Sequence, residues 1–152
     1  MSVTMAEVQS FLNAEEPDYK TAAAELGSEA LPHLAQIVAK GDLGLASKAA
    51  HLAGVIDGDG AAEVLRAAAR RREPAVRVAA AWAARLLQGP AASDLLLPLL
   101  ADEDRGVRKL ALQSVPADAS AELRAQIAHL SEQEKDASLR ELSLETLKKM
   151  SQ

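Results

Sequence analysis

The sequence predicts an all-α fold, a right-handed α-solenoid of about five stacked antiparallel helix pairs. Apolar residues recur at steps of 31 residues, as at Leu34, Leu65, Leu96 and Ile127. Inside each step, apolar residues follow the i, i+4, i+7 spacing of one helix face. The chain also has only one Trp, one Tyr and one Phe, whereas strands favour aromatic and β-branched residues. Helices alone are therefore expected to build the core.

The first helix of each pair carries one apolar stripe that faces the core. Pro32 falls near a helix start, where its missing N–H costs nothing. Pro98 falls inside a stripe, so we expect it to kink or shift its helix. The stripes are Ala30-Leu34-Ile37-Val38, Ala61-Leu65-Ala68-Ala69, Ala92-Leu96-Leu99-Leu100 and Leu123-Ile127-Leu130.

The second helix of each pair is expected to begin after a turn that contains an acid or its equivalent. An apolar anchor follows three residues later, and a small residue four residues after the anchor lets neighbouring helices approach closely. The acids are Asp42, Glu73, Asp104 and Asp136, the anchors are Leu45, Val76, Val107 and Leu139, and the small residues are Ala49, Ala80, Ala111 and Ser143.

These patterns divide a single domain, residues 1–152, into an irregular cap and four repeats. The cap covers residues 1–27, and the repeats cover about 28–58, 59–89, 90–117 and 118–150. Turn-forming residues separate the repeats, including the linker Gln88-Gly89-Pro90. The last helix carries Glu141, Glu145, Lys148 and Lys149, as a polar outer cap would, and this favours a monomer. Stacking of uncapped ends into dimers is the alternative.

Composition and charge limit the classes of function. The absence of Cys excludes disulfides and thiolate zinc sites and favours a cytoplasmic location. No apolar run approaches the ~20 residues of a membrane span, and the N-terminus lacks the layout of a signal peptide. The net charge of −5 makes nucleic acid an unlikely partner. Charge is uneven, because residues 1–30 carry six acids and one Lys, whereas residues 66–85 carry six Arg and one Glu.

The second-helix pattern resembles HEAT-like repeats. The segments Glu73–Ala80 and Asp104–Ala111 share an acid–x–x–Val–Arg–x–x–Ala motif. The short period is similar to the bacterial class first described in phycobilisome lyases. The resemblance implies an α-solenoid over residues 28–150 but is almost silent on activity, since the family includes adaptors, lyase subunits and a few enzymes. Ala46 replaces the motif Arg in one repeat, so an acid–Arg ladder should be broken there.

The motif arginines allow two interpretations. The favoured one is a structural ladder in which each Arg reaches the acid at a repeat turn, pairing Arg77, Arg108 and Arg140 with Glu73, Asp104 and Asp136. The other is a basic row that binds an anionic ligand. The run Arg70–Arg72 could contact phosphate, but the favoured interpretation is that these arginines interact with a helix C-terminus.

A partner-binding face is expected opposite the core stripe of the second helices. In a HEAT-like stack these helices line the concave surface, so the face would form a groove floor centred on a Trp and an Arg, residue types enriched in binding hot spots. In the competing interpretation, Trp82 fills a gap between repeats. The predicted partner-binding residues are Trp82, Val78, Arg85, His51, Lys109, Leu112 and Gln113.

The sequence offers no grouping that suggests catalysis, a cofactor or a metal. His33, His51 and His129 lack metal-ligand spacing, and none precedes a Glu as in the HEAT-like deoxyhypusine hydroxylases. We therefore expect a non-enzymatic module that binds another protein on its concave face. The alternatives are a nucleic-acid-binding protein similar to HEAT-like DNA glycosylases, and a lyase-type or chaperone-like accessory subunit.

Overall fold

In a computed structural model of the protein, the described residues 2–88 and 90–150 form ten α-helices in five antiparallel pairs, with no strand among them. This confirms the predicted α-solenoid. Gly89 in the predicted linker, both ends of the predicted domain 1–152 and the side chain of Asp59 lie outside the described part.

Each pair consists of a first and a second helix joined by a short turn. A 3₁₀ turn, Gly27–Ala30, leads from the second helix into the third, and another, Ala84–Leu86, extends the sixth. The helices are α1 (Met5–Leu12), α2 (Tyr19–Leu26), α3 (Leu31–Lys40), α4 (Leu43–Ile56), α5 (Asp59–Ala69), α6 (Pro74–Ala83), α7 (Ala91–Leu99), α8 (Arg105–Gln113), α9 (Ala121–Gln133) and α10 (Ala137–Met150).

The pairs stack so that the helices form two layers. The second helices α2, α4, α6, α8 and α10 contact one another in chain order, and so do the first helices α3, α5, α7 and α9. The apolar stripes of both layers meet between them. Leu34, Leu65, Leu96 and Ile127, which mark the 31-residue step, are completely buried there.

Side-chain caps begin most of the second helices at the expected positions. The carboxylate of Asp42 accepts the N–H of Leu45 at 2.9 Å, and that of Asp104 accepts the N–H of Val107 at 3.0 Å. Asp136 caps α10 in the same way. Such bonds satisfy backbone donors that have no partner inside the helix. Glu73 precedes α6 without a side-chain cap, and Pro74 occupies the first helical position instead.

Small residues let neighbouring second helices approach closely. Ala49, Ala80, Ala111 and Ser143 are all buried. Gly54 in α4 lies against the next repeat, where an added Cβ would be 3.1 Å from the Cβ of Ala83. A larger residue at Gly54 would push α4 and α6 apart.

The two prolines of the first helices both lie near helix ends. Pro32 is the second residue of α3, as predicted. Pro98 lies in the last turn of α7, which ends one residue later at Leu99. Its missing N–H therefore removes only a bond to the Asp94 carbonyl close to the point where the helix stops.

We expect Leu65→Ala to lower the free energy of unfolding by about 3 kcal/mol, because it opens a cavity around a completely buried side chain. The matched control is Leu43→Ala, since Leu43 is 46% exposed and should change stability by less than about 0.5 kcal/mol. Urea unfolding of both variants measures the difference. Equal losses would contradict the placement of the core.

Candidate functional site

Three ring side chains from successive second helices form a row across the second-helix layer. The rings of Tyr19 and His51 are stacked, with centroids 4.0 Å apart and planes 6° apart. The rings of His51 and Trp82 follow, with centroids 4.4 Å apart and planes at 38°. The guanidinium carbon of Arg85 lies 5.9 Å from the centroid of the Trp82 ring, within the range of a cation–π contact. The row therefore crosses α2, α4 and α6 and ends at a cation.

Repeat register explains two of these positions. His51 and Trp82 each lie six residues after the anchor of their helix, so they meet across the boundary between repeats. Trp82 is half-buried and packs on the core while its ring also lines the surface. Trp82 therefore contacts the core and also borders an open depression, and its role in a partner-binding groove stays a prediction.

Sequence reasoning missed Tyr19. It is the first residue of α2, directly after the cap Asp18, whose carboxylate accepts the N–H of Thr21 at 3.0 Å. The first pair does not keep the 31-residue spacing of the other repeats, so periodicity gave no position for this side chain. The available signal was its rarity, since Tyr19 is the only Tyr in the chain.

The ring row lines an open depression of about 240 Å³. Pockets for small molecules usually start near ~300 Å³, so this depression fits a side chain better than a metabolite. The ammonium group of Lys48 donates to the Leu12 carbonyl at 3.1 Å, which holds its stem along the rim. The lining residues are Tyr19, Ser47, Lys48, His51, Ala79 and Trp82.

Partial burial changes the titration of two rings in the row. It raises the pKa of the Tyr19 phenol above 10.0 and lowers the pKa of the His51 imidazole below 6.5. The cause in both cases is loss of solvation of the charged form. Both rings are therefore neutral at pH 7, as stacking between aromatic neighbours favours.

The remaining predicted face residues do not all join this row. Val78 is half-buried on α6, and Arg85 is exposed, with its Nε donating to Ser114 Oγ at 3.2 Å. Lys109 and Gln113 are exposed beside a separate depression between α8 and α10. Leu112 is only 3% exposed, so its place on the groove floor was wrong.

The burial of Leu112 has a reason in the register. It lies five residues after its anchor, aligned with Ala50 and Ala81, which are also buried. This position faces the neighbouring second helix and not solvent. Spacing along a single helix does not reveal this burial, because the covering side chains belong to the helix that stacks beside it.

The motif arginines link consecutive turns of the stack. Nε and Nη2 of Arg77 donate to both carboxylate oxygens of Asp102, at 2.8 and 3.1 Å, and Nη1 donates to the carbonyls of Arg71 and Arg72. Arg108 bonds Glu134 in the same two-pronged way, at 3.1 and 2.9 Å. Each guanidinium thus ties the turn of its own pair to the turn of the next pair.

The acids of this ladder differ from the predicted ones. Arg77 pairs with Asp102 and not with the predicted Glu73, which pairs with Arg71. Arg108 pairs with Glu134 and not with the predicted Asp104, so each acid comes from the following turn, two residues before that turn's cap. Asp104 and Asp136 accept backbone N–H groups as helix caps instead, and Asp136 also pairs with Arg105. A cap position points a carboxylate at its own helix, whereas the residue two positions earlier faces the preceding repeat.

Ala46 leaves one junction without a motif arginine, and Arg71 from the following turn joins the repeats there instead. Arg71 stands two residues before Glu73, the position that Asp102 and Glu134 occupy in later turns. Its Nη1 donates to the carbonyls of Val38 and Gly41 at 2.6 and 3.2 Å, at the end of α3. Its Nε and Nη2 bond Glu73, which holds the pKa of that carboxyl down to about 2. Arg71 therefore binds the C-terminus of a neighbouring helix, not of its own.

Arg140 forms only half of this arrangement. Its Nη1 donates to the carbonyls of Glu134 and Lys135, at 2.7 and 3.2 Å. Among residues 2–88 and 90–150, no carboxylate lies within ion-pair distance of its guanidinium. The predicted pair with Asp136 was therefore wrong, because the acid of this ladder always comes from the following repeat.

No group of three or more His, Cys, Asp or Glu within the described ranges is arranged to hold a metal ion. His33 contacts the segment that precedes α1, since its Nε2 lies 2.7 Å from the Val3 carbonyl oxygen. In the same part of the chain, no helix has the length and apolar character needed to cross a membrane.

Stacked helix pairs joined by an arginine ladder define a helical-repeat protein. A family model described as HEAT repeats matches residues 31–116, more than half of the chain, and the chain belongs to this family. A subunit in the solved complex of CpcE and CpcF of phycocyanin lyase from Nostoc sp. PCC7120 has a similar fold, with a TM-score of 0.69. The likeness covers 94% of this chain and 99% of that one, at 20% identity. No curated protein matches the sequence.

We expect Arg77→Ala to lower the free energy of unfolding by about 3 kcal/mol, because it leaves the largely buried Asp102 carboxylate without its partner. Arg140→Ala is the matched control, since it removes bonds to two carbonyls but leaves no described carboxylate without a partner. It should lower the free energy of unfolding by about 1 kcal/mol. Urea unfolding at low protein concentration compares them. A larger loss for Arg140→Ala would refute the ladder.

We expect Trp82 emission to fall as pH is lowered, with a midpoint below 6.5, because His51 becomes a charged neighbour of the indole when it is protonated. His51→Gln should abolish this step, and His129→Gln, on exposed α9 surface, should preserve it. Steady-state fluorescence of the single Trp measures both. A midpoint above 6.5 in the parent protein would show that burial does not control this imidazole.

Proposed function

We propose that this protein is a non-enzymatic interaction module that holds a segment of another protein against the ring row of Tyr19, His51 and Trp82. The observation that carries this proposal is the row itself. In a chain with one Trp and one Tyr, both rings lie on one surface and are connected by a third.

The chemistry of the row matches that of energetic centres in protein interfaces. Trp, Tyr and Arg are the residue types enriched at such centres, and the rings are already fixed by stacking before a partner arrives. Little side-chain entropy would therefore be lost on binding. The depression beside Trp82 offers room for one apolar side chain of the partner.

Charge around the row adds a requirement for the partner. Arg85 is exposed and held by Ser114, and Lys48 lines the depression on the other side. No carboxylate lines this depression within the described chain. A partner segment with an apolar side chain flanked by an acid fits this arrangement, because the acid would reach Arg85 without displacing an existing ion pair.

Similarity to a subunit of a two-protein complex supports a protein partner and keeps an accessory-subunit role as a variant of the same proposal.

The second-helix surface is less suited to nucleic acid. Lys109 and Arg105 share their depression with Glu141 and Glu145, so the surface does not form a continuous basic track.

A displayed peptide library selected on the immobilised protein tests the proposal. We expect the selected peptides to lose affinity about 30-fold or more on Trp82→Ala or Tyr19→Ala, as truncated hot spots do. His129→Ala, on the first-helix layer, is the matched control and should leave the affinity unchanged. Isothermal titration calorimetry measures all four proteins.

Unchanged affinity of folded Trp82→Ala for every selected peptide would overturn the location of the site. Salt-sensitive retention of single- or double-stranded DNA that depends on Arg85 would instead favour the nucleic-acid alternative. Circular dichroism of each variant shows whether the stack remains folded.

A further inference from the structure

The arginine ladder has an unused acid at its beginning. Three turns between paired helices share an acid–x–Asp motif, in which the Asp caps the second helix. In two of them the first acid accepts the guanidinium of the preceding repeat, as Asp102 does from Arg77 and Glu134 from Arg108. In the first turn that acid is Glu16, followed by the cap Asp18. Glu16 is exposed and forms no ion pair with any described residue.

The same ladder has an unused guanidinium at its other end. Arg140 is positioned by bonds to the Glu134 and Lys135 carbonyls. Arg77 and Arg108 make the equivalent bonds to the carbonyls of Arg71, Arg72, Asp102 and Glu103. The orientation that brings those two side chains to a carboxylate is thus preserved at Arg140 while the carboxylate is missing.

Apolar surface accompanies this open end. Leu144 lies one helical turn after Arg140 and is 45% exposed. Its position aligns with Ala50, Ala81 and Leu112, which are all buried by the next second helix. The side of α10 therefore presents the two features that join repeats inside the molecule, a guanidinium and an apolar side chain, with nothing described on top of them.

We propose that a second copy of this chain stacks its first helix pair on the last helix pair, with Arg140 of one copy bonded to Glu16 of the other. Leu144 would then pack on α2, which carries the small exposed side chain of Ala24 at its surface. Opposite charges meet where the last helix faces the first pair, because residues 137–150 carry three basic and two acidic side chains and residues 1–30 carry six acids against one Lys. The contact continues the internal ladder across two molecules.

This contact is head-to-tail, so it uses different surfaces on the two copies and does not close into a symmetric pair. Dimers and longer chains of molecules should therefore coexist, with sizes that increase with protein concentration. The helix α2, which begins at Tyr19, takes part in this contact, whereas Trp82 on α6 lies outside it. Loss of peptide binding on Trp82→Ala therefore tests the proposed function, and loss of association on Arg140→Glu tests this inference.

Sedimentation velocity over a range of protein concentrations tests the contact through a charge exchange. The parent protein should associate, and rising salt should weaken the association because ions screen the attraction between Arg140 and Glu16 of separate copies. Arg140→Glu and Glu16→Arg should each lower the association constant about tenfold or more, because each places like charges opposite one another. An equimolar mixture of the two variants should restore association, because every junction between unlike copies then pairs opposite charges.

Arg72→Glu is the control, since Arg72 is an exposed arginine away from both ends and should leave the association unchanged. A parent protein that sediments as a monomer at every concentration overturns the proposal. So does undiminished association of Arg140→Glu, or a mixture that stays monomeric. Glu16→Arg keeps the test decisive if Arg140→Glu loosens the last pair, because Glu16 makes no ion pair with residues 2–88 or 90–150.

Discussion

The bond between a guanidinium and the turn of the next repeat is the interaction on which the stack depends. The apolar stripes are buried only when helix pairs stack on one another, but contacts between Ala and Leu side chains alone would let one pair slide along the next. Arg77 and Arg108 remove that freedom, because each fork binds two carbonyls in its own turn and two carboxylate oxygens in the following one. Direction and spacing of the last three repeats follow from these bonds. At the junction between α4 and α6, where His51 lies beside Trp82, Arg71 binds the end of α3 instead.

The same close packing explains why so few large side chains shape the surface. Small residues between second helices bring successive backbones near one another, as at Gly54 and Ala83. Rings six residues after successive anchors can then touch, which is impossible between widely spaced helices. The single Tyr and the single Trp of the chain therefore lie in one continuous row with His51. Binding chemistry on this protein is a result of the repeat spacing and not of a separate loop or insert.

Periodicity predicted the helices, the core positions and the register of His51 and Trp82, since these depend on spacing along one helix. It failed where the answer depends on a neighbouring repeat. Burial of Leu112 depends on the helix beside it, and the roles of Asp102 and Glu134 depend on arginines of the preceding repeat, so neither follows from spacing along one helix. Tyr19 lies in a pair that departs from the 31-residue step, and the bonds of Arg71 to Val38 and Gly41 cross 33 and 30 residues of sequence.

Arg71 also makes one junction of the stack different from the others. Later junctions join an arginine in the second helix to an acid in the next turn, so a copy of α7 and α8 inserted between them would find matching groups on both sides. The junction between α4 and α6 has the opposite polarity, because Ala46 occupies the arginine position of α4 and the arginine comes from the next turn, where Arg71 binds the end of α3. An inserted repeat would present Asp102 to Ala46 and leave the end of α3 bare. Growth by duplication is thus compatible with one half of the molecule and blocked in the other.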